Sequence, residues 1–162
     1  MTSQLPSPVG TSQPARAGGN LSHTFEMRST STPRGARLAR RLAAHRLDIW
    51  GIPYGTGPHE EIVPVLGELT ANAVQHGHVP SRDFHLLLDV TEPARAVRIE
   101  VTDTRTEHTP PDPADVRAPV GEDDSGRGLL LVAALATRWG WHLRSPGPGR
   151  TVWAEWAFTT TA

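Results

Sequence analysis

The sequence contains no cysteine. That absence excludes disulfides, thiolate metal sites and cysteine nucleophiles together. Long apolar runs are missing as well: none approaches the roughly 18 residues that a bilayer-spanning helix needs. The N-terminus lacks the basic-then-apolar layout of a signal peptide, so the sequence reads as a cytoplasmic protein without a membrane partner. Nor does charge of one sign prevail. The formal net charge is −1, and a general electrostatic attraction to nucleic acid or anionic lipid is not expected. No internal repeat is visible. What remains is a chain of 162 residues, enough for one domain with a real core and short for two.

Residues 1–20 are rich in Ser, Thr, Pro, Gly and Gln and hold almost no bulky apolar side chains. Such a segment cannot bury enough surface to offset its ordering entropy, and it is expected to be a disordered tail. The domain is expected to span 21–160, starting with an edge strand over Leu21–Met27. Arg34–Trp50 reads as a helix, with Thr32 as N-cap, Pro33 at the first helical position and Gly51 past its end. Leu38, Leu42 and Leu47 recur there at near-helical spacing. A second helix runs from about Pro58 to His76 and stops at Gly77. Its stripe is Ile62, Val65, Leu66, Leu69 and Ala73, and Pro64 in its second turn is expected to delay its start or kink it. Phe84, Leu86, Leu88 and Val90 alternate along one strand, and Val97, Ile99 and Val101 along the next. The short link between them points to an antiparallel hairpin. Thr104–Asp124 is polar, holds four prolines and shows no period, as a functional or disordered loop does. An apolar helix (Leu129–Ala136) and two strands (Gly140–Arg144 and Thr151–Phe158) complete a β-α-α-β-β-loop-α-β-β order. This is an α+β pattern in which three helices back one sheet.

Three places carry possible chemistry. Glu68, Asn72 and His76 recur every four residues, so they line one side of the second helix beside its apolar stripe. A carboxylate there can take a proton from an attacking hydroxyl, and an Asn carbonyl is a hard oxygen ligand for Mg²⁺. The same spacing equally describes the polar flank of an amphipathic helix. Asp103 continues the inward phase of Val97, Ile99 and Val101, and a carboxylate so placed needs a partner. A ligand's exocyclic amine would serve, although a turn-starting Asp also fits. Gly126-Arg127-Gly128 opens a helix. Glycines permit close backbone approach, and a helix N-terminus offers free N–H groups to phosphate, although many Gly-x-Gly runs are plain turns.

Taken in order, these motifs resemble those of the GHKL (histidine-kinase-like) ATPase superfamily. Within it they resemble the anti-sigma-factor serine/threonine kinases of bacterial partner-switching systems, in their short actinobacterial, stand-alone form. The similarity covers roughly Leu21–Phe158. It implies a two-layer α/β sandwich of the Bergerat type, with a mixed sheet of about five strands backed by three helices. Glu68-Leu-Thr-Ala-Asn72-Ala-Val-Gln-His76 corresponds to the N-box, which implies Glu68 as general base, Asn72 as magnesium ligand and His76 near the phosphates. Val101-Thr-Asp103 resembles the start of the G1 box, whose Asp binds the adenine amino group. Gly126-Arg127-Gly128-Leu129-Leu-Leu-Val132 resembles the phosphate-wrapping G2 box, which makes Thr104–Ser125 the ATP lid. Gly149-Arg-Thr151-Val-Trp153-Ala resembles the late strand whose Thr contacts adenine, directly or through water. Arg138-Trp139-Gly140 also fits the actinobacterial pattern. One departure stands out: the G1 box ordinarily continues Asp-x-Gly-x-Gly, whereas here the run is Asp103-Thr-Arg-Thr-Glu107.

The implied activity is transfer of the ATP γ-phosphoryl group to a Ser or Thr of a partner protein, with Mg²⁺ as cofactor and ATP or ADP as ligand. The implied partners are a sigma factor, an anti-sigma antagonist or both, with a homodimer also within the family's range. The missing glycines keep open a weak or inactive, nucleotide-gated or nucleotide-free module that sequesters a regulator. No helix pair bearing a phosphoacceptor histidine precedes the domain, so a self-contained sensor histidine kinase is not the expectation. Arg34, Arg37, Arg40 and Arg41 on the first helix form either a contact surface, for an acidic protein or nucleic acid, or a solvated face. Trp139, Trp141, Trp153 and Trp156 read as core and sheet-face residues. His45, His59, His78, His85, His108 and His142 show no paired ligand spacing, so no structural zinc is expected.

Overall fold

Local signals fix the first helix. Thr32 is extended and its hydroxyl accepts from the Gly35 amide at 3.0 Å, Pro33 fills the first helical position, and the chain leaves through Gly51 at φ 88°. That satisfies a donor the helix start would otherwise leave bare. The computed structural model describes residues 21–77, 83–92, 95–103, 127–144 and 148–158. Its elements are β1 (Leu21–Thr30), α1 (Pro33–Ile49), α2 (Gly57–Gly77), β2 (Asp83–Glu92), β3 (Ala96–Asp103), α3 (Arg127–Leu135), β4 (Arg138–Leu143) and β5 (Arg150–Ala157). The expected disordered tail and ATP lid lie outside the described residues.

The five strands form one sheet in the order β1-β2-β3-β5-β4, and every neighbouring pair is antiparallel. The expected mixed sheet is therefore corrected to an antiparallel one. β3 and β4 do run in the same direction, but β5 returns by a hairpin and inserts between them. The parallel pair that the connection through α3 would otherwise make never forms.

One face of the sheet packs against the helices. Phe84, Leu86, Leu88 and Val90 from β2, Val97, Ile99 and Val101 from β3, and Val152, Ala154 and Trp156 from β5 are buried on it. The expected stripe of α2, from Ile62 to Ala73, lies over them and is likewise buried. Pro64 sits inside α2 without ending it. The alternate residues (His85, Asp89, Arg98, Glu100, Thr102, Trp153 and Glu155 among them) are half-buried on the other face. There Arg98 bonds Glu100 and Glu155, and its guanidinium lies 4.7 Å from the centre of the Trp153 ring.

α1 docks differently from the way its leucines suggest. Its inward line is Gly35, Ala39, Ala43 and Leu47, whereas Leu38 is 49% and Leu42 39% exposed. Small residues let the helix lie close. An added Cβ on Gly35 would stand 2.1 Å from the Thr30 carbonyl oxygen, so α1 begins against the end of β1 at a distance only glycine permits. Leu47 alone of the three leucines belongs to the core.

Candidate functional site

Two groups of residues lie on the helix-covered side of the sheet. The first joins α2 to the start of α3. Glu68 and Asn72, one turn apart, are half-buried at the edge of the α2 core stripe. Gly128, in the first turn of α3, is buried against them. A Cβ built on Gly128 would meet Glu68 Oε2 at 2.4 Å and Asn72 Oδ1 at 3.8 Å. The glycine therefore lets a carboxylate and an amide oxygen approach the backbone of a helix N-terminus, where unsatisfied N–H groups and the positive end of the helix dipole favour anions. Leu129, the next residue, turns into the core at 6% exposure and anchors that turn. His76 lies in the last turn of α2 and Arg127 opens α3, but their side chains fall outside the described residues, as does Gly126.

The second group stands where β3 and β5 end together. Asp103 is 4% exposed and continues the inward phase of Ile99 and Val101, as its strand position predicts. Its cross-strand neighbour is Arg150, itself 4% exposed, and the two form an ion pair with Arg150 Nε 3.4 Å from Asp103 Oδ2. Arg150 was not among the residues singled out from sequence, because an Arg after a Pro/Gly turn looks like a solvated strand end. Counting back by twos from the inward Trp156, Ala154 and Val152 would have found it.

The same alternation sets where Thr151 lies. Its hydroxyl is 2.7 Å from that of Thr102, on the face opposite Asp103 and Arg150. Successive strand residues point to opposite faces, so Thr151 cannot share the Asp103 side of the sheet, and the position opposite Asp103 belongs to Arg150.

The oxygen-rich α2–α3 group fits a hard cation better than a soft one. No cluster of three His, Asp or Glu side chains able to hold a metal occurs among the described residues. An ion there would take Asn72 Oδ1, with Glu68 beside it, and complete its shell from a ligand and water, as Mg²⁺ does with phosphates. No helix among the described residues is long and apolar enough to cross a membrane.

A family model described as a histidine kinase-like ATPase domain matches residues 29–156. Among solved structures, the RsbU and RsbW domains of Rv1364c from Mycobacterium tuberculosis match with a TM-score of 0.61 at 17% identity. That match covers 86% of this chain and 34% of the other, so the chain spans about a third of that structure. A search of curated proteins finds no match.

Proposed function

Because the chain belongs to the histidine kinase-like ATPase domain family, we propose that it is an ATP-binding regulator resembling an anti-sigma-factor serine/threonine kinase, acting on a partner regulator. The observation that carries this reading is the close approach of the Glu68 and Asn72 side chains to the open face of Gly128. It brings a proton acceptor, a neutral oxygen ligand and a helix N-terminus within one small volume. The triphosphate would lie along the start of α3 and the base near Asp103. Asn72 would hold Mg²⁺, which when bound neutralises charge on the phosphates. Glu68 would accept the proton of a Ser or Thr hydroxyl as it attacks the γ-phosphorus, with positioning and charge supplying most of the rate.

Two measurements test this. Calorimetry with MgATP should detect binding, and no heat at millimolar nucleotide would remove the nucleotide reading. Phosphotransfer to a co-purified antagonist should be lost in Glu68→Ala while ATP still binds. Unchanged transfer would show that Glu68 is not the base.

A second reading is favoured by the outer face of α1. Leu38, Leu42 and Ile49 are exposed in line, at 49, 39 and 58%, beside exposed Arg34, Arg37 and Arg41. An apolar line bordered by cations suits a protein partner, which the chain would sequester with little or no turnover. Tight nucleotide and partner binding without phosphotransfer would select this reading.

A further inference from the structure

We propose that Arg150 is a base-reading residue. On this view its guanidinium donates to a ring nitrogen of a bound aminopurine while Asp103 accepts from the neighbouring amino group. The inference rests on the nucleotide reading above and goes beyond it in assigning the second half of the base contact.

The argument starts from unsatisfied donors. Arg150 is 4% exposed, and among the described residues neither its Nε nor its Nη1 has a hydrogen-bond partner. The ion pair with Asp103, at 3.4 Å, lacks the geometry of a hydrogen bond at Nε. Leaving buried donors of a charged group unmade is costly. A buried ion pair that serves only to tie two strands is often replaceable by apolar side chains without loss, and an apolar pair does fill the next inward position, Val101 opposite Val152. The donors are therefore better explained by an acceptor that arrives with a ligand.

The chemistry of that ligand follows from what the two side chains offer together. Asp103 presents an acceptor and Arg150 presents N–H donors beside it, on the same face of the sheet. The complement is an edge carrying a donor next to an acceptor. The adenine amino group has such an acceptor on each side, N1 and N7. Thr151 is turned to the opposite face and bonded to Thr102, so it does not share this edge.

The test removes single ligand atoms. Affinities of ATP, 1-deaza-ATP and 7-deaza-ATP are measured by calorimetry for the wild-type chain and for Arg150→Met. A hydrogen bond from a charged donor corresponds to roughly a tenfold or greater effect on affinity. One of the two deaza analogues should therefore bind the wild type about tenfold or more weakly than ATP, and that ratio should shrink toward one in Arg150→Met. Thermal melting checks that the variant folds. If it does not, Arg150→Lys, which keeps a cation beside Asp103 but lacks the planar fork, carries the same comparison, with a reduced ratio expected.

Equal binding of all three nucleotides by the wild type would overturn the assignment and leave ATP binding standing. An analogue ratio unchanged in the variant would overturn it too. So would tighter ATP binding by Arg150→Met, since Arg150 would then be competing with the base for Asp103. No binding of any nucleotide by the wild type would overturn both this assignment and the nucleotide site on which it rests.

Discussion

Substituting Gly128 by Ala separates the architecture of the site from the stability of the fold. The added Cβ would stand 2.4 Å from Glu68 Oε2, whereas ordinary contact begins near 3.4 Å. One of the two must therefore retreat by about 1 Å, and the free end of a half-buried Glu moves more readily than a helix whose next residue, Leu129, is anchored in the core. Displacing the carboxylate from its rotamer costs on the order of 1 kcal/mol. Replacing Gly by Ala in a helix returns up to about 1 kcal/mol. The two nearly cancel, so the melting temperature should stay within about 4 °C of wild type. On the proposed kinase reading, function should respond differently, because a misplacement of ~1 Å in a reacting constellation lowers turnover by about 10²-fold. Differential scanning fluorimetry and single-turnover phosphotransfer with MgATP measure the two effects. Wild-type turnover in a normally folded Gly128→Ala would refute the reasoning. A drop in melting temperature well beyond that range would show that α3, not Glu68, has moved.

Other perturbations follow from the same geometry. Gly35→Ala should behave in the opposite way to Gly128→Ala. Its Cβ would meet backbone, the Thr30 carbonyl at 2.1 Å, so a loss of about 1–3 kcal/mol or more is expected in urea unfolding, and an unchanged midpoint would contradict it. Leu38→Ser and Leu42→Ser should each shift stability by no more than about 0.5 kcal/mol. Leu47→Ala, at a fully buried position, should cost about 2–5 kcal/mol, and comparable losses at all three would restore the leucine stripe to the core. Burial lowers the His85 pKa below 6.5, with Glu26 pulling it back in part. The unfolded chain then binds the proton more readily than the folded one, so stability is intact above pH 6.5 and declines as the pH falls below it. Unfolding midpoints between about pH 5 and 7.5 should therefore show a smaller slope in His85→Gln than in wild type, and identical slopes would be the wrong result for this view.

How far the sequence could be read depended on whether a signal was local. The α1 cap needed only Thr32, Pro33 and Gly51, and the β2–β3 hairpin only its alternating apolar residues. The docking face of α1 was not legible in this way. Leucine is the more apolar residue, yet the helix approaches β1 so closely at Gly35 that the alanines face inward and Leu38 and Leu42 face out. Packing distance, a property of two elements, overrode hydrophobicity, a property of one. The expected mixed sheet failed for a similar reason, since the insertion of β5 between β3 and β4 is a choice between pairings that no single strand encodes. Motif order located Asp103 and Gly128 well enough to bring them into view. It said nothing of the face on which Thr151 lies, because a motif match carries no strand phase, and one residue of offset reverses every side chain.

That offset also bears on how the two halves of the candidate site divide their work. At the α2–α3 end the local field is mixed: the start of α3 favours an anion, yet Glu68 already presents one there. A triphosphate bound at the same place would be repelled by Glu68 unless a divalent cation stood between them, and the neutral oxygen of Asn72 is the ligand that adds no further negative charge. At the β3–β5 end the charges are already compensated, because Asp103 and Arg150 face each other in a setting almost closed to solvent. Binding there should therefore depend on the shape and hydrogen-bonding pattern of the base and little on salt, whereas binding at the phosphate end should weaken when Mg²⁺ is removed. Measuring ATP and adenosine affinities with and without EDTA separates the two ends. Adenosine binding should be indifferent to the chelator and ATP binding should weaken with it. An equal loss for both ligands would mean that the ion supports the base pocket as well, and that the division drawn from these charges is wrong.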